Sequence, residues 1–304
     1  MPKPLLIVIA GPTGVGKTRL AIELASHFHT EVISADSRQC YQGMVIGTAQ
    51  PDAGERAAVP HHFIDCANPA EPLTAADFER FATDLLSKLF ANHKVVVLCG
   101  GTGLYIKAVC DGLDEMPEVP DHFVQAVDML YKTEGIAGLQ QAIRTEDPEY
   151  HSEEMNNPAR LMRALSFIRA TGESITRFRT GVKKERPFNI LKIGLEMPRA
   201  ILYQRINLRV DQMMDAGLEA EVRALVPLRG LKNLNTVGYA ELFDYFDGKL
   251  SLSEAIEKIR QHSRNYAKRQ LTWFKKDSRF LWKDARSPYT LNEIIHLAEK
   301  QMAE

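Results

Sequence analysis

Gly11-Pro12-Thr13-Gly14-Val15-Gly16-Lys17-Thr18 completes a G-x-x-x-x-G-K-[ST] loop, and the residues around it decide the fold. The apolar run Leu5-Leu6-Ile7-Val8-Ile9 precedes it. Leu20, Ala21, Leu24, Ala25 and Phe28 follow at spacings that share one helix face. Strand, glycine turn and helix form the context in which such a loop cradles phosphate. Backbone N–H groups and the helix N-terminus favour an anion, Lys17 adds a point charge, and the Thr18 hydroxyl offers a ligand to Mg²⁺. The loop predicts a di- or triphosphate site and leaves open whose phosphate it holds.

Outward from the loop, strand and helix patterns alternate. Glu31–Ser34 reads as a second strand. Thr74 with Asp77 resembles a capping box that opens a helix through about Phe90. Val95-Val96-Val97-Leu98 is fully apolar, as a parallel strand buried on both faces should be. Near Asp111 the pattern changes, with Pro117, Pro120 and a run of acids. From Asp121 to about Gly181 the reading is helical, with breaks near Gly135 and Asp147-Pro148. Ile190-Leu191-Lys192-Ile193-Gly194-Leu195 returns the chain to the sheet. Long amphipathic helices are expected at about Arg199–Leu225 and Leu252–Lys275, then a short strand at Phe280-Leu281-Trp282. The predicted fold is α/β: a P-loop NTPase-like parallel sheet with helices on both faces, residues 1–112 and 187–304, interrupted by an all-helical insertion at 113–186.

Bulk properties narrow the function class. Of the 304 residues 45% are hydrophobic and 25% charged, ordinary values for a globular protein. No apolar run approaches the length of a membrane span, and the strand-like N-terminus shows no cleavable signal. Cys40, Cys66, Cys99 and Cys110 form no C-x-x-C pair, so reduced thiols in a cytoplasmic protein are expected and a zinc site is not. The net charge of −1 shows no global basic footprint. Its distribution is uneven: residues 111–159 carry 12 acidic and 2 basic side chains, 160–186 carry 8 basic and 2 acidic, and 251–286 carry 10 basic and 4 acidic. Two basic stretches around an acidic one suggest a protein that grips a polyanion on one side.

Several clusters could carry chemistry. Asp36-Ser37-Arg38-Gln39-Cys40-Tyr41 follows the second strand. Ligands bind at the carboxyl ends of strands in open α/β sheets, so Asp36 should share a rim with the phosphate loop and could serve as metal ligand, hydroxyl anchor or general base. Gly100-Gly101-Thr102-Gly103-Leu104-Tyr105 is a second glycine-rich turn expected at that rim. His61 and His62 are adjacent in a strand and point to opposite faces, which disfavours a shared metal. Arg160 and Arg163 are spaced to share a helix face, as are Arg205 and Arg209. Tyr266-Ala267-Lys268-Arg269-Gln270-Leu271-Thr272-Trp273-Phe274-Lys275-Lys276 interleaves aromatic and basic residues, a composition suited to phosphate contacts and base stacking.

Together these motifs, with Ile-Gly-Thr-Ala-Gln-Pro (46–51), Pro-His-His (60–62), Arg-Leu-Met-Arg-Ala-Leu (160–165), Arg-Val-Asp-Gln-Met (209–213) and Val-Gly-Tyr (237–239), closely resemble the tRNA dimethylallyltransferase (tRNA isopentenyltransferase) family over nearly the whole chain. The resemblance implies transfer of a dimethylallyl group from dimethylallyl diphosphate to N6 of the adenosine 3′ to the anticodon, position 37, with release of diphosphate. It implies that residues 11–18 cradle the donor's diphosphate with Mg²⁺ on Thr18. Asp36 would be the base, Thr102 would sit at the reacting centre, and Arg209 would neutralise the diphosphate. The anticodon stem-loop would be held by Asp36, Ser37, Arg38, Gln39 and Thr102, by Ala159, Arg160, Leu161, Met162 and Arg163 in the insertion, and by Gly238, Tyr239, Lys268, Arg269, Gln270, Thr272, Trp273 and Lys275. The target base must then be flipped into its pocket.

The chain departs from the family at Gln50, where lysine is usual, and at Ser166, where glutamate is usual. The eukaryotic branch often adds a C-terminal zinc finger; none is present up to Glu304, so the bacterial form matches better. No interface stripe is evident and a monomer is expected. A small-molecule or nucleoside kinase, an adenylate isopentenyltransferase and a phosphate-loop RNA-binding module share parts of this pattern. A kinase leaves the basic aromatic segment without a role.

Overall fold

The computed structural model describes residues 3–150 and 154–303. One compact unit runs to Asp111 and resumes at Glu185, and Gly112–Lys184 form a second. The first unit is built on six parallel strands: β1 (Leu5–Ala10), β2 (Val32–Ser34), β3 (His61–His62), β4 (Val95–Gly100), β5 (Asn189–Glu196) and β6 (Leu281–Asp284). Their order is β3-β2-β4-β1-β5-β6, with Leu5 opposite both Val95 and Asn189. Every residue of β1 and β4 is buried, which explains their unbroken apolar sequence.

The helices in chain order are α1 (Lys17–His27), α2 (Ala53–Ala58), α3 (Ala75–Leu89), α4 (Gly103–Asp111), α5 (Asp121–Glu146), α6 (Pro158–Thr171), α7 (Ile175–Phe178), α8 (Arg199–Asp215), α9 (Leu218–Ala224), α10 (Tyr239–Phe246), α11 (Leu252–Phe274) and α12 (Thr290–Ala303). Alternate residues of β1 enter two separate cores. Leu5, Ile7 and Ile9 join Leu20 and Leu24 of α1, Leu202 and Ile206 of α8, and Ile294 of α12. Leu6, Val8 and Ala10 join Phe78 of α3, Ile106 of α4, Leu242 of α10 and Ile259 of α11. Burying one such side chain contributes about 1.5–3 kcal/mol, so a slip of β1 by one residue would misplace every layer.

The expected capping box at Thr74 and Asp77 forms in full, and Ser251 with Glu254 forms another at the head of α11. The expected helix at 199–225 divides into α8 and α9, because Gly217 caps α9 in the left-handed region at φ 98. The sequence reading did not anticipate α10 or α12. The last strand begins one residue later than expected, with Phe280 turned into the core and Leu281 opening β6.

In the second unit, α5 kinks at Gly135, where φ is 64, and ends at Glu146 before Asp147-Pro148. Asn157 caps α6 with Pro158 in its first turn, and Gly172 ends it in the left-handed region. Val127, Leu139, Ile143, Leu161, Leu165, Phe167 and Ile175 form its core. Residues 151–153 of the expected helical stretch lie outside the described residues. The acidic and basic runs read from the sequence neutralise each other here. Arg169 pairs with Glu146, Arg177 with Glu149, Arg160 and Arg179 with Glu154, and Lys184 with Glu115. A bipolar charge separation along the chain therefore becomes local pairing in space.

Candidate active site

The turns after β1, β2 and β4 emerge at the carboxyl rim of three adjacent strands, which brings residues 11–18, 35–40 and 101–103 together. Gly16 caps α1 at φ 106 and contributes no side-chain bond, so the first N–H groups of that helix are left for an anion. Two arginines on one face of α8 brace the loop: Arg205 Nε donates to the Gly14 carbonyl at 2.9 Å and Arg209 Nη1 to Thr13 Oγ1 at 3.2 Å. Lys17 Nζ donates to the Pro12 carbonyl at 2.9 Å. Burial pushes the Lys17 ammonium down to about 8, and the nearby Arg209 guanidinium adds to the shift, against opposing influences from Cys99 and Asp36. Burial likewise disfavours the charge on Arg209. Neither cation is within ion-pair distance of a carboxylate among the described residues.

Asp36 Oδ1 accepts the Arg38 N–H at 2.9 Å and the Gln39 N–H at 3.4 Å, an Asx-type turn that fixes the carboxylate at the cavity wall. Thr102 knits the neighbouring turn to it. Its N–H donates to the Ala35 carbonyl at 3.1 Å, and its Oγ1 accepts the Ser37 N–H at 3.0 Å. Gln39 is an internal brace, bonded through its side chain to Ser34 Oγ and to the Thr48 and Ala49 carbonyls. Gln50 donates to the Gln39 carbonyl at 2.9 Å and so supports the same turn.

A cavity of about 630 Å³ joins these parts. Thr13, Lys17, Thr18, Asp36, Ser37, Arg38, Gln39, Arg209, Gly238, Arg269 and Gln270 line it, and Val210, Met213, Val237 and Ile259 add apolar wall. Lys268, Arg269, Thr272 and Trp273 line a separate shallow groove on α11, where Trp273 is 42% exposed. Ala159 and Arg163 are exposed on α6, and no ion pair among the described residues involves Arg163. Lys275 pairs with Glu196 at 2.9 Å and lies over the Trp282 ring.

Three side chains expected to touch RNA are buried. Leu161 is fully buried in the helical unit's core, where its apolar side chain is worth more than at a surface. Tyr239 is fully buried, and its hydroxyl donates to Glu221 Oε1 at 2.7 Å. Gln270 is buried and bonded to two backbone groups. Glu221 was not anticipated. It accepts the Val45, Ile46 and Gly47 N–H groups and so anchors the loop beyond Asp36 to α9. A glutamate in a short helix that also carries Glu219 gives no sequence signal of that partner. The apolar wall was readable in part, since Ile206, Val210 and Met213 recur at helical spacing beside Arg209. His61 bonds the Val59 carbonyl and His62 bonds Glu31, so the two rings do not meet at one point. No cluster of three or more His, Cys, Asp or Glu residues suited to a metal occurs among the described residues.

A glycine-rich loop, a carboxylate and an apolar wall share one rim of a P-loop NTPase-like α/β fold, a site suited to group transfer. Comparison with known proteins narrows the class. A family model for IPP transferase matches residues 39–277. The tRNA dimethylallyltransferase 1 of Bacteroides thetaiotaomicron is 48% identical over 295 residues, 97% of this chain and 96% of the relative. The tRNA dimethylallyltransferase of Cytophaga hutchinsonii is 42% identical over 300 residues, 98% of each. The crystal structure of the full-length tRNA isopentenylpyrophosphate transferase of Bacillus halodurans superposes with a TM-score of 0.74 at 36% identity, covering 99% of this chain and 97% of that one. The chain belongs to the IPP transferase family, among the tRNA dimethylallyltransferases.

Proposed function

We propose that this protein transfers the dimethylallyl group of dimethylallyl diphosphate to N6 of adenosine 37 in tRNA. The observation that supports this most is the single cavity in which Lys17, Thr18 and Arg209 face Asp36 beside an apolar wall. The diphosphate lies in the loop of residues 11–18, against the N-terminus of α1. The prenyl chain rests on the apolar lining. The flipped adenine comes to the Asp36 side of the cavity.

In the reaction, N6 attacks the first prenyl carbon and an N–C bond forms as the carbon–oxygen bond breaks. The electron pair of that bond leaves with the diphosphate, and Lys17, Arg209 and the backbone N–H groups of the loop stabilise the developing charge. Asp36 takes the proton released by N6, with the Arg38 and Gln39 N–H groups holding its other face in place. Thr102 positions Ser37 and the Asp36 turn; its contact with the base at the rim is part of the proposal.

Mg²⁺ fits this site as an ion carried by the substrate. Magnesium commonly uses one or two protein oxygens plus substrate phosphates, and Thr18 and Asp36 are among the oxygen donors on the cavity wall. Thr18 would hold it, and the ion would offset charge on the departing diphosphate. Lys268, Arg269, Thr272, Trp273, Lys275, Ala159, Arg160, Met162 and Arg163 contact the anticodon stem-loop in this reading. No helix among the described residues is long and apolar enough to cross a membrane. Incubating the protein with unmodified tRNA and dimethylallyl diphosphate, then digesting the RNA for mass spectrometry, tests the proposal. N6-dimethylallyladenosine confined to position 37 is the expected product; ATP turnover without prenyl transfer overturns it.

A further inference from the structure

Thr13 and Gly101 belong to turns that leave different strands, and a single side chain from a third element joins them. Gln270 on α11 accepts the Thr13 N–H through Oε1 at 2.8 Å and donates from Nε2 to the Gly101 carbonyl at 2.9 Å. It is 6% exposed. The approach is close: a Cβ on Gly101 would stand 2.2 Å from Nε2, which explains a glycine there without appeal to backbone conformation. One carboxamide meets one main-chain donor and one main-chain acceptor. A carboxylate would set an anion against the Gly101 carbonyl, and an apolar side chain would leave both buried groups unpaired.

The consequences reach both substrates. Thr13 also receives Arg209, so the clasp bears on the phosphate loop. Gly101 precedes Thr102, which is bonded to Ala35 and Ser37 on either side of Asp36. The neighbours of Gln270 on α11 include Arg269 at the cavity wall and Lys268 and Trp273 in the outer groove. We propose that Gln270 is a positioning residue for prenyl transfer: it sets the spacing between the diphosphate cradle and the Asp36–Thr102 rim, and registers both against α11. This rests on reading residues 11–18 as the diphosphate cradle. It assigns Gln270 no contact with RNA.

The test uses the full-length protein carrying Gln270→Leu or Gln270→Glu, with wild type and Lys17→Ala alongside. Gln270→Leu is expected to lower kcat by about tenfold to a hundredfold, the effect of one to two unpaired buried groups, while tRNA Kd stays within about twofold. Gln270→Glu supplies a readout that a merely structural role would not move. A protonated carboxyl presents one acceptor and one donor, as the amide does. Its kcat relative to wild type at the same pH should therefore recover between about pH 8 and pH 6. If Gln270→Leu fails to fold, this ratio decides alone. A flat Gln270→Glu ratio, a wild-type kcat in Gln270→Leu, or a loss confined to tRNA affinity overturns the clasp. Unchanged dimethylallyl diphosphate affinity in Lys17→Ala overturns the cradle itself, which separates the two failures.

Discussion

Lys17 and Arg209 are half-buried at the phosphate loop with no carboxylate in ion-pair reach among the described residues, whereas Arg169, Arg177 and Arg179 of the helical unit each hold a glutamate. A buried charge without a partner is costly, and burial lowers the proton affinity of Lys17 as that cost requires. The surface arginines are satisfied by protein and need no ligand. In the reading proposed above, Lys17 and Arg209 are satisfied fully only when the donor's diphosphate arrives. Elsewhere the first unit also pairs its charges, as in Arg186 with Glu79 and Arg279 with Asp111. In that same reading Lys17 and Arg209 are the cations kept for a substrate, while much of the charge in the second unit is spent on its own helices.

The largest test of this contrast lies at Asp36, a carboxylate on the wall of the same cavity. Asp36→Asn keeps the shape of the turn and its bonds to Arg38 and Gln39, and removes the proton acceptor. Turnover is expected to fall by roughly 10²–10⁴ with tRNA affinity unchanged. A wild-type rate in single-turnover transfer would remove Asp36 as the base and leave the cavity an electrostatic site only.

A second test uses pH. In the reading proposed above, Lys17 attracts the diphosphate only while it is charged, and burial brings its proton affinity down to about 8. Affinity for dimethylallyl diphosphate should therefore hold below about pH 8 and weaken by up to tenfold per unit above it. The stability term has the opposite sign. Because the folded value lies below the ordinary 10.5, the cost of burying this charge is fully present below about pH 8 and fades as pH rises toward 10.5. Weaker binding without alkaline unfolding distinguishes lost charge from lost structure. Kd measured from pH 7 to 10 checks it, and a flat profile would mean that Lys17 keeps its proton throughout that range.

The parallel core was legible because its evidence is local. An apolar strand, a phosphate loop and a capping box each announce themselves within a few residues, and the rim rule then places Asp36 beside Lys17. What the sequence did not show depends on partners distant along the chain. Leu161 and Tyr239 sit inside motifs, yet motif membership does not reveal which side chains face inward. Gln270 is flanked by exposed Arg269 and half-exposed neighbours on α11, and its two bonds reach back 257 and 169 residues. The division between α8 and α9 turned on one left-handed glycine in an otherwise continuous pattern. Charge runs pointed to a polyanion partner but did not show which of their members pair internally, because opposite runs along the chain can face each other once folded.

The smallest effect concerns the pairs that cancel those runs. Arg169 donates Nε and Nη2 to the two oxygens of Glu146 at 2.8 and 2.7 Å, joining α6 to α5 within the helical unit. Both side chains are about a third exposed, so water screens much of their attraction. A double-mutant cycle of Arg169→Ala and Glu146→Ala should return a coupling of about 0.5–1 kcal/mol in urea unfolding. The bonds from Arg169 hold the Glu146 carboxyl below its ordinary value. That coupling should therefore be present above the usual glutamate range and disappear as pH falls through the lowered folded value. Prenyl transfer to tRNA should be unchanged if these arginines serve only the fold of their unit. A coupling near zero accompanied by weaker tRNA binding in Arg169→Ala would place Arg169 with the cradle cations, as charge kept for a ligand.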